Sequence, residues 1–122
     1  NHQNFSLGRL DYEYKHEPVL YTWKKIHKFY GDTDCSVWEI DKPRHADLHP
    51  TMKPVELCAR AIKNSSQTNE IVLDLFGGSG STLIACETLG RQCRMLEISE
   101  VYCDVILARW SQITGKQALK LV

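Results

Sequence analysis

The sequence predicts an α/β fold in which a short antiparallel hairpin precedes a strand–helix–strand unit and a closing helix. Three observations predict it. The apolar run Ile71-Val72-Leu73 stops at the glycine cluster Gly77-Gly78-Ser79-Gly80, as a buried parallel strand does where it feeds a helix. A second hydrophobic run, residues 92–98, follows after a helix-length segment closed by Gly90, which is the spacing of a βαβ crossover and implies a right-handed one. Upstream, segments 18–23 and 36–40 have strand character and flank the turn cluster Gly31-Asp32-Thr33-Asp34, the pattern of a hairpin.

Taken in order, residues 1–40 form the expected hairpin region. They are dense in aromatic and basic groups, among them Arg9, Tyr12, Tyr14, Lys15, Tyr21, Trp23, Lys24, Lys25 and Lys28. The rings read first as packing groups, and the cations divide evenly between a solvated face and phosphate contacts. Residues 41–53 carry Pro43 and Pro50 without periodicity and read as an ordered loop. Pro54 is placed as the first residue of a helix, along which Val55, Cys58, Ala61 and Ile62 form an apolar stripe ending near Asn64-Ser65-Ser66. A strand over 70–76 follows, expected to be covered on both faces. The chain then turns at the glycines into a helix over 81–89, with Gly90 as its stop. Strand 92–98 contains Glu97 near its end. Ser99 is the expected N-cap of a last helix running to about residue 113, with Gly115 beyond it. Tyr102 and Trp110 on that helix are expected to pack against the sheet.

The bulk composition sets limits on function. A chain of 122 residues holds one domain, and 43% apolar with 25% charged residues places it among globular chains rather than disordered ones. Residues 41–122 then form the second part of that single domain, after the hairpin region. Fifteen cationic and fifteen acidic side chains cancel, so no global field attracts nucleic acid or membrane, and any such contact is local. The five cysteines are odd in number and contain no C-x-x-C pair, which points to reduced thiols and a cytoplasmic location. His45 and His49 lack an evident third ligand, so no metal site is expected. No apolar run long enough to span a bilayer is present. The sequence begins at Asn1 rather than at methionine, from which we expect a piece of a longer chain.

The chemistry concentrates at Asp74-Leu75-Phe76-Gly77-Gly78-Ser79-Gly80-Ser81. A strand that stops at glycines exposes bare backbone to a ligand, and the helix that follows offers free N–H groups at a positive dipole end. About 23 positions after Asp74, Glu97 closes the next strand, where a carboxylate accepts ribose hydroxyls. The glycines do not fit G-x-G-x-x-G, because Leu83 stands three positions after Gly80, and no P-loop lysine is present. A dinucleotide or nucleoside-triphosphate site is therefore disfavoured.

Asp74, Phe76, Gly78 and Gly80 resemble the D-x-F-x-G-x-G motif I of S-adenosylmethionine-dependent DNA methyltransferases. His49-Pro50-Thr51-Met52-Lys53-Pro54-Val55-Glu56-Leu57 is similar to the H-P-T-x-K-P-x-x-L motif X of the same enzymes. Motif X ahead of motif I is the order of the β-class amino-methyltransferases. Gly8-Arg9-Leu10-Asp11-Tyr12 and the stretch from His16-Glu17-Pro18 to Lys24 resemble the segment that precedes motif X in bacterial and phage members.

The resemblance implies a partial Rossmann-like methyltransferase sheet. It also implies an S-adenosylmethionine site formed by Thr51, Lys53, Asp74, Phe76, Gly77, Gly78, Ser79, Gly80 and Glu97, with Thr51 and Lys53 near the cofactor carboxylate. DNA is the implied partner of the intact enzyme, and an exocyclic amino group is the acceptor, adenine N6 ahead of cytosine N4. The family's Asp-Pro-Pro-Tyr or Ser-Pro-Pro-Tyr tetrapeptide is not in this sequence; its nearest string is Asp41-Lys42-Pro43-Arg44. The tetrapeptide is expected upstream, so this chain is read as the C-terminal, cofactor-binding part, without a catalytic residue of its own. Alone it is expected to be inactive and to self-associate or bury an open strand edge. The alternative is a non-catalytic cofactor-binding subunit or remnant.

Overall fold

The computed structural model describes residues 15–41 and 52–121. Its elements run α1 (Val55–Ser65), β1 (Ile71–Asp74), α2 (Ser81–Leu89), β2 (Gln92–Met95) and α3 (Glu100–Thr114). β1 and β2 pair in parallel, with Ile71 opposite Gln92 and Asp74 opposite Met95. The strand, glycine turn, helix and strand expected from the sequence are therefore present.

Local signals explain the helix boundaries. Pro54 precedes α1 with φ −58° and ψ 136°. Its ψ is extended, so it caps the helix from outside instead of occupying the first helical position expected for it. At the other end Ser66 donates both its N–H and its hydroxyl to the Ile62 carbonyl, at 2.9 and 2.7 Å. Helix α2 lies between two glycines in the left-handed region, Gly80 at φ 80° and Gly90 at φ 70°, a conformation glycine takes without a Cβ penalty. Ser99 caps α3 by accepting the Tyr102 N–H.

The core lies between the helices and one face of the sheet. Ile62 of α1 and Ala85 and Cys86 of α2 are buried, with Val72 and Cys93 of the two strands packed against them. Burial raises the Cys86 thiol pKa to about 12, as expected for a thiolate excluded from water. The other face differs from expectation. Ile71 and Leu73 are 63% and 64% exposed, so among the described residues β1 is covered on one side only. Both strands are also shorter than predicted. Past Asp74 the backbone turns, with the Phe76 N–H donating to Asp74 Oδ1 at 3.0 Å. Leu96 continues the pairing outside regular strand geometry, donating to Asp74 O and accepting from the Gly77 N–H.

The antiparallel hairpin does not form: residues 18–23 and 36–40 are not strands, and the sheet among the described residues is two-stranded and parallel. Alternation in sequence supplies only a face, and an isolated two-stranded hairpin is marginal in water. This segment is held instead by polar anchors on α1. Asp34 accepts from both Arg60 and Asn64, and the Tyr30 N–H donates to Asn64 O at 2.7 Å. The Trp38 ring lies 4.8 Å from the Arg60 guanidinium carbon. Trp110 also departs from expectation. Its indole N–H reaches Glu87 of α2 at 3.2 Å, so helix rather than sheet receives its polar edge. No helix among the described residues is long and apolar enough to cross a membrane.

Candidate cofactor-binding site

The loop between β1 and α2 is a backbone structure braced from four directions. Asp74 closes its start through the Phe76 N–H. Gly77 donates to Leu96 O at 2.8 Å, and Gly80 donates back to Gly77 O at 2.8 Å. Gly78 donates to Glu97 Oε2 at 2.7 Å, while Glu97 Oε1 accepts the Ser99 N–H at 2.8 Å. The Arg109 guanidinium of α3 donates to the Ser79 carbonyl, and burial lowers the pKa of that guanidinium.

The three glycines play different parts. A Cβ on Gly77 would lie 2.6 Å from Met95 Sδ and 3.3 Å from Ile106 Cδ1, so close packing of β2 and α3 excludes a side chain there. Gly80 has φ 80° and faces Ile106 at 3.1 Å. Gly78 has φ 54° but nothing nearer than the Phe76 carbonyl at 3.9 Å. Its bare backbone fronts open space, which is where a ligand can approach.

That space is a pocket of about 210 Å3, with Lys53, Asp74, Phe76, Gly78, Ser79 and Ser81 among its walls. The fold thus brings Lys53, from the segment before α1, against the glycine loop. The link is direct, because the Ser81 hydroxyl donates to the Lys53 carbonyl at 2.7 Å. The first helical bond of α2 runs from the Ile84 N–H to Gly80 O, so the amides of Ser81, Thr82 and Leu83 precede any intrahelical partner. A lysine, a helix N-terminus and bare glycine backbone together suit an anionic, polar ligand.

The residues singled out by sequence are placed as follows. Lys53, Asp74, Phe76, Gly77, Gly78 and Ser79 line the pocket together. Phe76 is 88% exposed, which leaves its ring available as a ledge. Gly80 sits behind the loop as the cap of α2. Glu97 is not among the residues that line the pocket; it braces the loop from behind its wall, accepting the Gly78 N–H on one carboxylate oxygen and the Ser99 N–H on the other. Lys53 forms an ion pair with Glu17. Thr51 lies outside the described residues, as do His45 and His49. Among the described residues no group of three His, Cys, Asp or Glu side chains is placed to hold a metal.

Several residues of the site were not marked by the sequence. Cys58 and Thr82 line the pocket; Cys58 had read only as part of the apolar stripe of α1, and burial raises its thiol pKa. Arg109 carried no signal, being one cation on a mixed helix 30 positions from the carbonyl it holds.

Comparison with known proteins identifies the family. A family model for N6/N4 methyltransferases, described as DNA methylase, matches residues 4–108. The chain belongs to this DNA amino-methyltransferase family. It is 29% identical over 109 residues to the type II methyltransferase M.HpaI of Haemophilus parainfluenzae, covering 86% of this chain and 33% of that protein. It is 38% identical over 102 residues to the type II methyltransferase M2.MboI of Moraxella bovis, covering 80% of this chain and 37% of that protein. Among solved structures, the M1.HpyAVI–SAM complex superposes with a TM-score of 0.56 at 29% identity, over 67% of this chain and 42% of the other. The chain therefore spans about a third of the length of the curated relatives it matches.

Proposed function

We propose that this chain is the S-adenosylmethionine-binding part of a DNA methyltransferase that modifies an exocyclic amino group, adenine N6 in preference to cytosine N4. The observation that carries the reading is the pocket in which Lys53 meets Asp74 and the Gly77–Ser79 backbone. Membership of the DNA methylase family supports it, as does the likeness to a relative whose structure was solved with the cofactor. Bound there, S-adenosylmethionine supplies a methyl group on a sulfonium. The chain's own residues bind and orient. Lys53 and the α2 amides face the methionine end, to which the motif X resemblance also assigns Thr51; the Gly78 backbone permits close approach, Phe76 flanks the ligand, and Glu97 accepts the ribose hydroxyls while holding the Gly78 N–H.

The acceptor base leaves the helical stack to reach the methyl group. Its amino nitrogen needs acceptors that offset developing positive charge, and these belong to an Asp-Pro-Pro-Tyr or Ser-Pro-Pro-Tyr tetrapeptide on a companion segment upstream. In this reading the 122 residues form one partial, cytoplasmic domain at the C-terminal side of that segment. The open edge of β1 and the exposed Ile71 and Leu73 are where the companion, or a second copy, packs. The test is transfer of labelled methyl from S-adenosylmethionine to duplex DNA by the natural full-length protein, followed by nucleoside analysis. Label in N6-methyladenine is expected. Label in N4-methylcytosine corrects the base, and no label in DNA refutes the function. The 122-residue chain alone is expected to transfer none.

A further inference from the structure

Residues 15–30 hold four lysines against one glutamate, a local charge of +3 on a chain whose net charge is zero. Two of these lysines occupy a three-residue turn. The Ile26 N–H donates to Lys24 O at 2.8 Å, and Lys25 between them takes φ 65°. A side-chain-bearing residue held in the left-handed region is strained, and such strain persists where the surroundings fix it. Here the surroundings are aromatic. The Tyr21 hydroxyl spans the turn to His27 Nε2 at 2.9 Å, and the Trp23 and His27 rings meet at a tilt of 49° with centroids 4.5 Å apart. The result presents ammonium groups beside open ring surface, since Trp23 is 59% exposed. Among the described residues neither Lys24 nor Lys25 pairs with a carboxylate, and Lys28 reaches Glu70 only at 3.8 Å.

The turn is also tied to the candidate cofactor site. Glu17 of the same segment pairs with Lys53 on the pocket wall, and Lys28 leans toward Glu70 immediately before β1. The segment that carries the turn thus touches the pocket wall through Glu17 and the opposite, N-terminal end of β1 through Lys28. The chemistry of the surface selects its partner. A membrane calls for an amphipathic helix, which this segment is not. An acidic peptide would use the cations and leave the rings idle. A DNA strand offers both anionic phosphates for lysines and flat sugar and base surfaces for aromatic rings.

We propose that the turn spanning residues 21–28 is a DNA-backbone clamp, in which Lys24, Lys25 and Lys28 hold phosphates while Tyr21 and Trp23 pack against the adjacent sugars and base edges. The proposal rests on the reading of the chain as part of a DNA methyltransferase. It is tested on the natural full-length protein by fluorescence anisotropy with a short labelled duplex over a range of salt concentrations. A Lys24→Glu, Lys25→Glu double variant should lose at least about tenfold in duplex affinity. Its slope of log K against log salt should shrink by about 2, one unit for each phosphate contact removed. Trp23→Ala should lower affinity severalfold with the slope unchanged. Both variants should bind S-adenosylhomocysteine, by calorimetry, as the unmodified protein does. Unchanged duplex affinity and slope in the charge-reversed variant, while the unmodified protein binds and methylates DNA, overturns the clamp and leaves the functional reading standing. The clamp is overturned equally if the substitutions release a protein subunit and spare DNA binding. Failure of the unmodified protein to bind or methylate any duplex overturns the functional reading itself, and the clamp with it.

Discussion

Replacing Glu97 by alanine separates two roles that the structure gives one side chain. Its carboxylate accepts the Gly78 N–H at 2.7 Å and the Ser99 N–H at 2.8 Å, so it joins the glycine loop to the start of α3 before any ligand binds. Hydrogen bonds to a charged group contribute roughly 1.5–3 kcal/mol each. Glu97 is half-buried, and water can reach the released amides, which favours the lower end of that range. Loss of both bonds is then expected to lower stability by about 3 kcal/mol, a large share of the 5–15 kcal/mol typical of a domain. Glu97→Gln retains one acceptor oxygen and should forfeit about half as much. Loss of the ribose acceptors should separately weaken S-adenosylhomocysteine by about 10- to 150-fold, the equivalent of one such hydrogen bond. Urea unfolding of the natural full-length protein reads the first effect and isothermal calorimetry the second. Stability within about 0.5 kcal/mol of the unmodified protein would refute the bracing argument. Reduced stability with unchanged affinity would sink the ribose role and leave Glu97 as a brace.

Two further perturbations probe the glycine loop and the anchor of the N-terminal segment. Gly77→Ala drives a methyl group into Met95 and Ile106 and should destabilise by about 1–3 kcal/mol through overpacking, partly relieved by Met95→Ala. Gly78→Ala meets no neighbour within 3.9 Å. Only the left-handed conformation then opposes it, at roughly 1–2 kcal/mol, so calorimetry should show its larger effect as weaker cofactor binding. The Arg60 guanidinium holds the Asp34 carboxyl well below its ordinary value of 3.8, against an opposing desolvation effect. A depressed folded value means that this contribution is complete above about pH 4 and is lost only as pH falls through the folded value. Trp38 emission should therefore stay constant from neutral pH to about pH 4 and change below it, whereas Asp34→Asn should loosen Trp38 at neutral pH; a Trp38 transition centred near pH 4 in the unmodified protein would contradict the pairing.

Elements whose signals are local were legible in the residues. The helix over 81–89 lies between Gly80 and Gly90, and those two glycines take the left-handed conformations that start and stop it. Ser99 likewise announced α3, because a cap acts within one turn. The run Ile71-Val72-Leu73 and the glycines after it located β1 and the loop that follows it, since apolar residue type and bare backbone are local signals. Strand pairing is different. Segments 18–23 and 36–40 read as strands, yet they do not pair with each other: Tyr21 and Trp23 meet His27 of their own segment, Trp38 lies by Arg60 of α1, and the anchor beside it, Asp34 with Arg60, joins residues 26 positions apart. The same holds for the covered face of β1, which depends on what packs above Ile71 and Leu73. Within the candidate site, sequence spacing singled out Glu97 but did not reveal its bond to Gly78, nor that Arg109 holds Ser79. Such contacts depend on how α3 lies against the loop, and that geometry comes into being only when distant segments share one core.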